Sequence, residues 1–295
     1  MINNQRKTKM LIFVYLMSVI AFLDMIKYIY VNIQSILIAF SIETETGAQI
    51  YSLNNFTRLF NEFADANSGI WLYFRNTFKY FSMYMVKTVV CFFVAYFLYK
   101  KVYGYKFYRV VFYLPCIISP IIFVNIFNRI VTEGGLLHSI YRAFGVLEYA
   151  DPLASPHTAT PTILVYSFWS GFGTALLIFV GAMNRIPSEI IEAGALDGCK
   201  LGREFFSLVL PLTWGSLSTM LLLTMIGVFS ASGPILYFTS GNHDTSTISF
   251  WIFYQTYNGT YNYPTAVGLF FTIIGIPIVF GGKWLMDKLD SKVSY

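Results

Sequence analysis

Charge is what this chain of 295 residues has least of: Asp, Glu, Lys and Arg together make up 12%. A soluble domain carries roughly twice that share. Hydrophobic residues account for 56%. The balance excludes a chain whose length goes into one solvated core, and a polytopic membrane protein is the simplest class left. Cysteine is scarce too. Cys91, Cys116 and Cys199 form no CxxC pair, which suggests neither a disulfide framework nor a metal site. His138, His157 and His243 are far apart, no HExxH occurs, and no spacing favours a Ser/His/Asp triad, so no catalytic residue is expected. A GxxxxGK[ST] loop is also missing. Residues 194–200 come nearest, but they are one residue short and lack the Ser/Thr. Any nucleotide chemistry therefore belongs to another chain. The net charge of +5 comes from basic residues in short loops, which is not the footprint of a nucleic-acid partner.

What the chain has instead is a series of apolar runs. Their lengths predict spans at about 10–33, 78–99, 107–130, 162–183, 208–229 and 264–286, in one membrane domain covering 1–295. The first run has no small-residue cleavage site and reads as a retained span. It contains Asp24 and Lys27, three apart and able to face each other on a helix. Lys87 lies inside the second run, where a cation must face the bundle interior or a cavity, or snorkel to the interface. Aromatic residues reach 19%, of which interfacial anchoring by Tyr and Trp explains most. Two polar stretches, 41–76 with Glu43, Glu45, Glu62 and Asp65, and 131–161 with Glu133 and Glu148, read as external loops. With six spans both termini lie on one side. The loops on that side hold 13 Lys/Arg and the opposite ones five, which places the termini and the loop 184–207 in the cytoplasm.

That loop holds the most polar long stretch in the second half of the chain. Pro187 suits a first helical turn, Ser188 and Glu189 complement the positive helix start, and Gly198 suits the left-handed stop. A helix of about three turns is expected, with Ala193, Gly194 and Ala195 leaving room for another protein to approach. The pattern Glu192-Ala193-Gly194, three residues, Gly198, nine residues, Leu208-x-Leu210-Pro211 resembles the EAA loop of ABC importer permeases. The family pattern is EAA, three residues, G, nine residues, I-x-L-P. The spacing is the same throughout, and the departures are Gly194 for alanine and Leu208 for isoleucine. Further likenesses follow the sugar branch. Leu53-Asn54-Asn55-Phe56 with Arg75-Asn76-Thr77 resembles GxxNY…NT, the run 109–120 (RVVFYLPCIISP) resembles R-x-x-x-x-L-P-x-x-x-S-P, and Thr239-Ser240-Gly241-Asn242 resembles a degraded T-x-G-G-P. The prolines of 109–120 predict a broken helix, tolerable where protein covers the backbone.

The resemblance, over about 53–286, implies an all-α membrane protein with six transmembrane helices. Its fold would be that of a type I ABC importer permease, with a cytoplasmic EAA coupling helix. It implies a binding-protein-dependent sugar importer in the plasma (inner) membrane of a prokaryote. The partners would be a second homologous permease subunit, two cytoplasmic ATP-binding subunits and an extracytoplasmic solute-binding protein, besides the sugar and the lipid bilayer. This chain would bind no cofactor; ATP and Mg would be used by the partner ATPase. Glu192, Ala193, Gly194, Asp197 and Gly198 would couple to it. Tyr166, Trp169 and Ser170, spaced three and four apart with Gly173, could offer a sugar one aromatic, hydrogen-bonding helix face. Phe229 and Ser230 stand where the family has an F-D/N step. A self-sufficient secondary transporter is the alternative reading, but such a carrier should show internal repeats and several intramembrane carboxylates.

Overall fold

In hydrocarbon a backbone finds no water to bond, so apolar stretches of this length form helices that satisfy their own N–H and C=O groups. The computed structural model describes residues 2–43, 49–145, 149–230 and 232–293. Glu45 and Glu148, two acids of the expected external loops, lie outside the described residues. Helix α1 spans Ile2–Ala39 and is followed by a hairpin, β1 Ser41–Glu43 and β2 Gln49–Tyr51, with Ser41 opposite Tyr51. Helix α2, Asn54–Ala64, leads to α3, Gly69–Tyr99. Next come α4 Tyr105–Ile117, α5 Pro120–Val131 and α6 Leu136–Ala143. Helices α7 Ala159–Ser170 and α8 Phe172–Met183 form one span interrupted at Gly171. Then follow α9 Ser188–Leu196, α10 Leu201–Glu204, a π turn Phe205–Val209 and α11 Leu210–Ile226. A 3₁₀ turn Val228–Ser230, α12 Ile235–Phe238, α13 Ile248–Tyr257 and α14 Asn262–Val293 complete the described chain.

The second expected span begins earlier than the hydropathy suggests, because α3 extends through the polar turn holding Arg75 and Asn76. The third shows a larger difference. Residues 107–130 do not make one rod: the chain bends by 113° between α4 and the helical stretch Pro120–Ala143. Pro120 opens α5, and the residue before it, Ser119, is held extended at ψ 133° as proline sterics require. At 13 residues α4 is about 20 Å long, short of a hydrocarbon core of about 30 Å. Among the described residues, five helices are long and apolar enough to cross a membrane, six if this bent pair counts as one.

The core forms where α3 packs on α8. Phe92 meets Phe179 edge-on at 5.2 Å and Phe205 at 5.6 Å, with Leu176, Met183 and Val209 buried around them. The two asparagines of the GxxNY…NT likeness are clamps. Asn55 Nδ2 donates to the Ala39 and Ser41 carbonyls (3.0 and 2.9 Å), tying α2 to the end of α1. Asn76 Nδ2 donates to the Asp244 and Ser246 carbonyls (2.6 and 3.0 Å), and Thr77 Oγ1 accepts from the Ile248 N–H (3.0 Å), fixing α3 to the start of α13. Helix α1 differs from the rest. It packs against α14 and β1, and none of its most apolar window is buried, against 44% for the span of α7 and α8. Asp24 and Lys27 form the expected pair, 3.6 Å apart and exposed.

Candidate docking helix and solute cavity

Helix α9 starts directly after Pro187, with Glu189 in its first turn against the positive end of the helix dipole. It ends in a Schellman turn. Gly198 is left-handed at φ +73°, the Cys199 N–H donates to the Gly194 carbonyl at 2.9 Å, and the Gly198 N–H donates to the Ala195 carbonyl at 3.1 Å. The helix has two unlike faces. Ile191 and Gly194 turn inward, Ile191 packing against the core. Glu189, Glu192, Ala193 and Leu196, at three- and four-residue spacing, are exposed, as are Asp197 and Gly198. Leu196 is 90% exposed, an apolar side chain with nothing from its own chain over it.

Gly194 is small for a reason other than an approaching protein. It is buried, and a Cβ there would stand 2.7 Å from Leu208 Cδ1. The two positions that depart from the EAA pattern therefore touch each other. A branched δ-carbon at 208 occupies the space that alanine at 194 would need.

Beyond α9 the chain is anchored by Glu204, buried at 4% exposure. Its carboxylate receives Lys100 Nζ at 2.9 and 3.1 Å, from the end of α3. The Tyr96 hydroxyl, 3.1 Å from both Glu204 Oε1 and the Leu201 carbonyl, donates between them. The π turn follows at once, closed by the Leu210 N–H on the Phe205 carbonyl, five residues back. Pro211 explains it. Proline has no N–H for the carbonyl four residues earlier and crowds it, and a wider turn relieves both.

Residues of α3, α8, α11 and the loop after it line an open cavity of about 400 Å³. Lys87, Thr88, Thr174, Thr224, Ser230 and Ser232 supply its polar lining. Thr88 and Thr224 donate to the Tyr84 and Met220 carbonyls (2.9 Å each), and their oxygens lie 3.3 Å apart across α3 and α11. Of the expected route residues, Ser230 lines this cavity and also a neighbouring one of about 370 Å³, which Phe229 lines as well. Tyr166 and Trp169 line neither. Tyr166 is buried among Phe123, Phe127 and Phe238 at 5.0–5.3 Å, and Trp169 meets Phe123 edge-on at 5.1 Å. Ser170 ends α7 with its carbonyl 4.0 Å from Cys116 Sγ. Sequence reasoning missed Glu204, Thr88, Thr174 and Thr224. The available signal was polar side chains standing singly in apolar runs.

A family model described as the binding-protein-dependent transport system inner membrane component matches residues 81–295, which include α9, the π turn and Lys87. The chain belongs to that family. As an inner membrane component of this kind it is a multi-pass membrane protein and a transport subunit, and family membership decides for the permease reading over the self-sufficient carrier. Among its relatives, the multiple sugar-binding transport system permease protein MsmF of Streptococcus mutans is 29% identical over 198 residues, 65% of this chain and 66% of MsmF. The probable ABC transporter permease protein YesP of Bacillus subtilis is 26% identical over 219 residues, 72% of this chain and 69% of YesP. The maltose/maltodextrin transport system permease protein MalF of Shigella flexneri is 28% identical over 145 residues, 48% of this chain but 27% of MalF. The chain thus spans about two thirds of the first two and far less of the third. Two solved structures share the fold at 17% identity. One is a bacterial ABC transporter involved in the import of the acidic polysaccharide alginate, with TM-score 0.78, covering 93% of this chain and 95% of that one. The other is the bacterial alginate ABC transporter in complex with alginate pentasaccharide-bound periplasmic protein, with TM-score 0.80 and 94% of each chain. The fold is that of an ABC importer permease, as the EAA resemblance implied.

Proposed function

We propose that this chain is the membrane subunit of an ATP-driven saccharide importer, forming the solute route and coupling it to separate ATPase subunits. The observation that carries the reading is α9, a short helix that starts after Pro187, is closed by the Gly198 turn, and exposes Glu192, Ala193 and Leu196 while Ile191 and Gly194 hold it to the bundle. A helix so fixed on one side and bare on the other suits docking. Asp197 and Gly198 end it sharply enough for a partner to grip. The MsmF and MalF names support a saccharide as cargo.

In this reading both termini and α9 face the cytoplasm, in line with the 13-to-five division of Lys/Arg. The complex is completed by a second homologous permease, two ATP-binding subunits and an extracytoplasmic solute-binding protein. ATP and Mg²⁺ serve the ATPases, this chain holds no cofactor, and nucleic acid plays no part. Closure of the ATPases moves α9, and the Glu204–Lys100 pair and π turn pass that movement to α3 and α11. The solute passes beside Phe229 and Ser230, with Tyr166, Trp169 and Ser170 forming packed wall behind the route.

The test uses the four-component complex in lipid nanodiscs. Glu192→Lys reverses a docking charge, and Gly198→Val forces a β-branched residue into a left-handed position, at a cost of about 1–2 kcal/mol. Both variants should insert, Glu192→Lys melting like the unaltered chain and Gly198→Val a few degrees lower, yet both should lose at least tenfold in ATPase co-purification and in binding-protein-stimulated ATP hydrolysis. Undiminished co-purification and hydrolysis in both would refute the docking role. Solute uptake by the chain alone, without ATPase, would refute the importer reading itself.

A further inference from the structure

Helix α3 carries Arg75, Lys79 and Lys87 and no Asp or Glu. None of these three cations pairs with a carboxylate among the described residues, where the ion pairs are Asp24–Lys27, Arg58–Glu62 and Lys100–Glu204. Arg75 and Lys79 are exposed one turn apart on the outer half of the helix. Lys87 stands about 18 Å from the cytoplasmic-side end of α3, near mid-membrane depth. A charge at that depth is costly and needs a polar counterpart. Lys87 opens onto the cavity of about 400 Å³, which is lined by five Ser/Thr hydroxyls and by no carboxylate. The Tyr84 ring lies 4.5 Å from Nζ. Gly171 makes the room, since a Cβ on Gly171 would collide with the ammonium group.

The cavity lacks what a neutral sugar uses most. Tyr84 is its only aromatic lining residue, and the ammonium group already lies over that ring. Tyr166 and Trp169 are committed to packing. Thr88 and Thr224 spend their protons on backbone carbonyls, so their lone pairs face the cavity as acceptors for a solute's hydroxyl groups. The one strong donor left is Lys87. Hydroxyl donors and one anionic group on the same solute match this set.

We propose that the solute carried by this chain is an anionic saccharide, its acidic group held by Lys87 in the cavity between α3, α8 and α11. This rests on the saccharide-importer reading and adds the chemical class of the cargo. Arg75 and Lys79 supply an attractive field along the outer approach, which salt should weaken.

The experiment measures binding by calorimetry to the assembled permease–ATPase complex in nanodiscs, without the solute-binding protein, so that protein's own selectivity plays no part. The probes are trigalacturonate, glucose 6-phosphate and neutral maltotriose, each at low and high salt. The expected result is at least tenfold tighter binding of one anionic probe than of maltotriose, weakened by salt. The preferred probe tells whether the acidic group is a carboxylate or a phosphate. Lys87→Met and Gly171→Leu should bring anion binding down to the maltotriose level, and Lys87→Arg should restore most of it. Equal binding of charged and neutral probes, or a charge preference intact in Lys87→Met, would overturn the inference. So would a Lys87→Met chain that no longer assembles with the second permease, because Lys87 would then be answering a carboxylate of that subunit. If no saccharide of either class binds or is imported, the importer reading has failed and this inference with it.

Discussion

The docking segment and the cavity differ in how the chain supplies their parts. The segment 187–211 takes Glu192, Gly194, Gly198, Leu208 and Pro211 from one continuous stretch, and its helix end is closed by its own backbone. Glu204, its one deeply buried charge, is matched by Lys100 and Tyr96. The cavity takes its residues from α3, α8, α11 and the loop beyond, and its one charge, Lys87, has no carboxylate beside it among the described residues. A saturated charge fixes structure, whereas an unsaturated one leaves capacity for a ligand. In the proposed reading the first transmits force and the second receives a solute.

Breaking the saturated side should have the largest effect. Glu204→Ala removes the acid from a buried pair and leaves Lys100, itself only a quarter exposed, without its counter-ion. A loss of about 3 kcal/mol is expected, because stranding one member of a buried pair is costly. The purified variant should melt well below the unaltered chain, and Glu204→Gln, which still meets Tyr96, should lie between. Lys87→Met should show no comparable drop. Equal melting of the Glu204→Ala and unaltered chains would erase the contrast.

The next effect concerns the contact of Gly194 with Leu208. Gly194→Ala gains helix propensity of up to about 1 kcal/mol but drives a methyl against Leu208 Cδ1. Leu208→Ile alone loses packing against Gly194. Together they restore the family pattern, and the double variant should be more stable than the two singles predict by about 1 kcal/mol. Additive single effects would show that the two departures are unrelated.

The smallest effect belongs to the unsaturated side. Ser230→Ala takes one hydroxyl from the cavity without opening the core, so the apparent affinity for solute should fall about fivefold, the worth of one hydrogen bond. Tyr166→Phe, a wall residue outside both cavities, should leave uptake unchanged. A reversed order of these two would move the route to α7.

The same contrast explains what could be read in the chain beforehand. Glu192, Gly198 and Leu210-Pro211 are legible because their relation is a spacing along the sequence, and local rules on caps and prolines convert spacing into shape. The break at Pro120 and the Asp24–Lys27 pair are legible for the same reason. Asn55 and Asn76 stand out in the sequence, but their carbonyl partners lie up to 170 residues away, so their clamping role is not. Thr88 and Thr224 meet across 136 residues, and nothing in the neighbourhood of either announces the other. Tyr166 and Trp169 mark a different limit of the sequence. Their helical spacing is real, but periodicity cannot tell a lined cavity from a packed aromatic cluster.

The π turn at Phe205–Val209 has a consequence for gearing. It is an α-helix with one surplus residue wound in, so everything ahead of it is set about 100° around and about 1.5 Å along from where a regular helix would put it. Ahead of it lie Glu204 and, two short turns further, the exposed face of α9. The direction in which Glu192 and Leu196 point is thus indexed to α11 by a single residue of register. Deleting one residue from 205–209 would leave every docking side chain present and every cap intact, yet aim them at another quadrant of the membrane surface.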